Sequence, residues 1–72
     1  MTFDKNTKLR DVMKKYPWLV EDAVKLDARF KQLNTTPGKL WLKTADIAAL
    51  AKKAGVSVDE VIAQIKDIIA KH

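Results

Sequence analysis

The sequence predicts an all-α fold, a compact bundle of four main helices plus a short helical turn. Three observations predict it. Apolar residues recur at three- and four-residue intervals, which is the period of one helix face. Prolines, glycines and Ser, Thr or Asp capping residues punctuate the stretches between. The 72 residues are 47% hydrophobic and 32% charged, the balance of one small domain spanning 1–72 and not of a disordered tail.

Leu9, Val12, Met13 and Tyr16 keep the spacing i, i+3, i+4, i+7 after Thr7, a candidate N-cap, and Pro17 sets the stop, so a first helix is expected over about 8–15. Pro17 then suits the first turn of a second helix with Leu19, Val20, Ala23 and Val24 on one stripe and Glu21 and Asp22 near its positive end. This helix should reach Leu26. Asp27 can cap a short turn carrying Phe30 and Leu33, and Asn34-Thr-Thr-Pro37-Gly38 reads as the strongest break, placing a loop mid-chain.

Thr44 is the candidate N-cap of a helix over about 45–54, with Asp46 in its first turn and Gly55 as its left-handed end. Ser57-Val-Asp-Glu60 matches a capping box and opens a helix with Val61, Ile62, Ile65, Ile68 and Ile69 on one stripe. That stripe could suit a strand, but its period and length favour a helix. The expected core is Leu9, Val12, Leu19, Val20, Val24, Phe30, Leu33, Ile47, Leu50, Val61, Ile65 and Ile68.

Composition removes whole classes of chemistry. There is no cysteine, so disulfides, thiolate nucleophiles, iron–sulfur ligation and Cys-bound zinc are out, and the expected compartment is the cytoplasm. The single histidine, His72, sits where fraying is expected, which leaves no catalytic base for a triad. Glu21-Asp22 and Asp59-Glu60 are adjacent pairs that do not face each other as acid and base must. The two glycines are too far apart for a phosphate loop. No enzyme activity, cofactor or metal is expected, and no stretch is long enough to span a membrane.

The net charge is +5, split as +3 over residues 1–36 and +2 over 37–72, so by halves the excess looks dispersed. Most lysines read as a solvated surface. Lys39-Leu40-Trp41-Leu42-Lys43 stands out as an amphipathic contact segment for an acidic partner or a membrane surface, although a core lid is the ordinary use of such a tryptophan. Trp18 is expected to staple two helices. The candidate interaction residues are therefore Trp18, Leu40, Trp41 and Leu42.

Residues 47–65, with Gly55 between two helices, resemble a DNA-binding helix-turn-helix. The second helix would offer Asp59 and Glu60 to a polyanion, and Gln64 occupies a position where that motif wants a core residue. A bihelical turn that simply packs is the better reading, and nucleic-acid binding is the alternative. A wide Ile62/Ile69 edge would instead favour a homodimer.

The run Thr7-Lys-Leu9-Arg-Asp-Val12-Met-Lys-Lys-Tyr16-Pro17, then Leu19-Val20, Phe30-Lys-Gln-Leu33 and Thr44 through Ile62, resembles the small helical family of domain of unknown function 1858 and the related N-terminal domain of ScdA/RIC iron–sulfur-cluster repair proteins. The resemblance covers nearly the whole chain. It implies a short helical domain that stands alone or precedes hemerythrin-like, di-iron or sensory domains. Many members carry a Cys pair after the second helix, where this chain has Asp27-Ala-Arg-Phe30, so no thiol, redox or metal role carries over. Phe30, Leu33 and Pro37 match a Cys-less branch. The function expected is a non-enzymatic protein-interaction module, auxiliary to redox or iron–sulfur proteins by the resemblance alone.

Overall fold

The computed structural model describes residues 2–72, Arg29 by its backbone alone. The fold is all-α, with five α-helices and one 3-10 helix, in the order α1 (Leu9–Lys15), α2 (Leu19–Leu26), the 3-10 helix (Ala28–Asn34), α3 (Thr36–Thr44), α4 (Ile47–Ala54) and α5 (Val58–Lys71). Among the described residues there is no strand, and no helix is long and apolar enough to cross a membrane. The extents are 26 × 25 × 23 Å. At 1.5 Å per residue α5 alone is about 21 Å long, close to the full extent of the molecule; α2 and α4 pack on it, while α3 packs on α1 and on the 3-10 helix.

Five helices stand where four main helices and a loop were expected, because Asn34-Thr-Thr-Pro37-Gly38 starts α3 instead of breaking the chain. Thr35 is extended, and its hydroxyl accepts the Gly38 N–H at 3.2 Å while donating to the Gln32 carbonyl at 2.7 Å. Pro37 falls in the first turn, where its missing N–H costs nothing. Gly38 serves a close approach: a Cβ there would lie 2.7 Å from Leu33 Cα and closer still to the Gln32 carbonyl oxygen. The α3 backbone therefore rests directly on the end of the 3-10 helix.

Two expected caps moved. Asp46, not Thr44, caps α4, accepting the Ala49 N–H at 2.8 Å. Thr44 ends α3, its hydroxyl donating to the Trp41 carbonyl. Lys8 precedes α1 without a side-chain cap, and Thr7 instead accepts the Asp4 N–H in a turn of the amino-terminal arm. That arm has a structural task. Its Thr7 and Lys5 carbonyls accept the N–H groups of Ile47 at 3.1 Å and Ala48 at 3.0 Å, and Leu9 donates to Ala45. With Asp46 serving Ala49, the first three N–H donors of α4 are all satisfied.

Gly55 ends α4 in the left-handed region at φ 73°, and Ser57 caps α5 by accepting the Glu60 N–H, both as the sequence predicts. The core is centred on Val12 and Ile47, each fully buried, with Leu9, Leu19, Leu33, Leu50, Val61, Ile65 and Ile68 around them. Leu42, Ala45 and Ala51 join this core unexpectedly. Val20 and Phe30 pack on its edge only partly buried, and Val24 is half-buried.

Candidate functional site

The most distinctive surface is built on α3. Gly38, Leu42 and Ala45 follow one another at helical spacing on the inward face, and Leu42 is only 3% exposed. Leu42 is thus a core residue and not a contact residue. The opposite face carries Lys39, Leu40 and Lys43, all exposed, with Leu40 at 57%. Such exposure of a leucine in mid-helix sacrifices the burial that its neighbour Leu42 obtains.

Trp41 lies on the flank between these faces, half-buried, with Lys53 Nζ 5.0 Å from its ring centroid. It is part lid and part surface, between the two alternatives that the sequence offers. The ammonium over the indole is a cation–π contact that holds Lys53 against α3. Lys53 also edges a concavity between the 3-10 helix and the end of α4, about 230 Å³, lined by Phe30, Leu33, Leu50 and Ala54 with Gln32 at the rim. An apolar groove, a tryptophan and a lysine therefore share one border.

The electrostatics of this region is one-sided. Residues 28–56, which form the 3-10 helix, α3 and α4, hold six basic side chains and one acid, so the whole molecule's excess charge is carried there. The single acid, Asp46, is half-buried and engaged as the cap of α4. Lys31, Lys39, Lys43 and Lys52 are exposed, and among the described residues none of them forms an ion pair. Lys52 and Lys53 also complement the negative end of α4, which is a sufficient local reason for their position. The stretch straddles the midpoint of the chain, so its charge is shared between the two halves. The groove itself and the roles of Gln32 and Lys53 leave no signal in the sequence.

Trp18 belongs elsewhere. It stands at the start of α2, stacked on His72 at 3.5 Å and edge-on to Tyr16 at 5.7 Å, so it staples the α1–α2 turn to the end of α5. His72, expected at a fraying end, is fixed there by donating from Nδ1 to Asp22 Oδ2 at 2.8 Å. The two tryptophans pack against different elements and do not form one anchor.

The α4–Gly55–α5 unit has the helix-turn-helix order, and the first turn of α5 exposes Asp59 and Glu60. Gln64 contributes to the wall of a small apolar cavity, about 50 Å³, between Leu19, Leu50, Val61 and Ile65. Ile62 and Ile69 are partly covered by the core they pack on. Among the described residues, no group of three His, Asp or Glu side chains is placed to hold a metal.

Fold and surface together define a small all-α domain with a cationic, apolar-edged face on α3 and α4. Compared with family models, with curated proteins and with solved structures, the chain finds no match.

Proposed function

We propose that the domain is a non-enzymatic protein-interaction module that holds a protein partner on the outer face of α3. The observation that carries this reading is Leu40, 57% exposed between Lys39 and Lys43 and beside the half-buried Trp41. A large aliphatic side chain next to an aromatic one is the usual centre of a protein contact, and a ring of long polar side chains keeps water from it. Trp18 contributes by holding α2 on α5, not by touching the partner. The association with redox or iron–sulfur proteins, and a cytoplasmic setting, rest on the residues of the resemblance and on the cysteine-free composition.

Affinity capture from a cell lysate tests the reading. Leu40→Ser should abolish retention of the partner while leaving the helical circular dichroism unchanged, since Leu40 is outside the core. Full retention by this variant would exclude α3 as the contact. Nucleic-acid binding through residues 47–65 is the second reading, supported by the order of α4, Gly55 and α5; affinity for duplex DNA that falls steeply with salt would favour it.

A further inference from the structure

We propose that the partner presents an acidic segment with one bulky apolar residue, that residue entering the groove between the 3-10 helix and α4 while its flanking carboxylates meet the lysines of α3 and α4. This rests on the reading of α3 as a contact surface and specifies its chemistry. Three observations converge on it. The groove floor is apolar, made by Phe30, Leu33, Leu50 and Ala54, and its volume of about 230 Å³ is below the range of drug-sized ligand sites and suits a single large side chain. Lys53 stands at the groove edge and over Trp41, so its ammonium is held where a carboxylate beside the inserted residue would lie. Lys53 is the one charged residue among the groove's lining, and the 3-10 helix, α3 and α4 add the exposed Lys31, Lys39, Lys43 and Lys52 against one already engaged acid, so charge complementarity selects an anionic occupant.

The apolar concavity separates this occupant from other anions. A phosphate backbone gains nothing from an apolar floor, and Lys53 already lies over the ring of Trp41, the one aromatic side chain of α3. A bilayer surface is met by protruding apolar side chains, whereas here the apolar area is recessed and Leu40 alone stands out on α3. An acidic peptide uses both the depression and the charge.

Fluorescence anisotropy with a short labelled Asp/Glu peptide bearing one central Phe tests the proposal. Controls are the same peptide with Ser for Phe, one with Lys for every acid, and a DNA duplex. The acidic Phe peptide should bind, and the Ser and Lys versions should each bind at least about tenfold more weakly, as expected when an anchor or its charge partner is lost. Lys53→Glu at the groove edge and Ala54→Glu in the groove lining should each weaken binding by a similar factor with an unchanged thermal melt. Should either variant unfold, Lys53→Ala supplies the same comparison in a folded protein. No binding of the acidic Phe peptide at low salt, binding indifferent to Lys53 and Ala54, or equal affinity for the duplex would each overturn the proposal. If Leu40→Ser abolishes lysate capture yet the acidic peptide does not bind, α3 stands as a contact surface and the acidic partner falls.

Discussion

The indole of Trp18 and the imidazole of His72 lie face to face, 3.5 Å between centroids and 2° from parallel. The same imidazole bonds Asp22, 50 residues away in sequence, on the helix that Trp18 begins. One side chain after α5 thus grips α2 by both a ring and a carboxylate. His72→Ala should lower stability by about 0.5–1 kcal/mol, the value of an aromatic pair discounted for partial exposure. Denaturant midpoints followed by Trp18 emission in a Trp41→Phe background would measure it. An unmoved midpoint would show that the stack holds nothing.

The two glycines should respond differently to alanine. At Gly38 the obstacle is space, since the new methyl meets the backbone of Gln32 and Leu33, so α3 must lift and the loss should be about 2–3 kcal/mol. At Gly55 nothing lies within 4 Å and the obstacle is φ 73° alone, for a loss nearer 1 kcal/mol. Thermal melts of both variants check the order, and a reversed order would refute the close approach at α3.

Neighbouring α3 leucines should separate core from surface. Leu42→Ala should cost about 2–4 kcal/mol, as large-to-small changes in cores do, and much of the domain's stability with it. Leu40→Ala should leave the melt within about 0.5 kcal/mol of the parent. Equal losses at both positions would contradict the orientation of α3.

The small cavity by α2 offers a gain. Ala23 lines it, and the cavity's 50 Å³ corresponds to about 1 kcal/mol of missing packing. Ala23→Val should recover about half of this after the helix-propensity cost of a β-branched residue. A raised melting temperature with unchanged circular dichroism is the expected result; a lowered one would mean that the void cannot accept two methyl groups.

The end of α4 and the start of α5 are legible in the sequence because Gly55 and Ser57 act within a few residues of themselves. The start of α3 was misread for a related reason: Thr35, Pro37 and Gly38 have the same local chemistry in a turn and in the first turn of a helix, and what decides between them is Gly38 resting on Leu33, a contact with a different element. The core residues follow from helical spacing, Ala51 on α4 included, apart from Leu42 and Ala45, which become visible only once α3 is a helix. Of the candidate contact residues, Leu40 and Trp41 reach the surface, Leu42 does not, and Trp18 is used to join helices. The groove beside Lys53 was hidden because it exists only where the 3-10 helix and α4 meet, and sequence spacing does not report that meeting.

The bonds from Lys5 and Thr7 to Ala48 and Ile47 also bear on the order of assembly. During synthesis the amino-terminal arm leaves the ribosome well before the residues it must hold, and until α4 has emerged the Lys5 and Thr7 carbonyls lack the partners they have in the fold. The opening residues of the chain are therefore among the late pieces to be locked in place, and a nascent polypeptide stalled before Ile47 would leave them accessible to proteases.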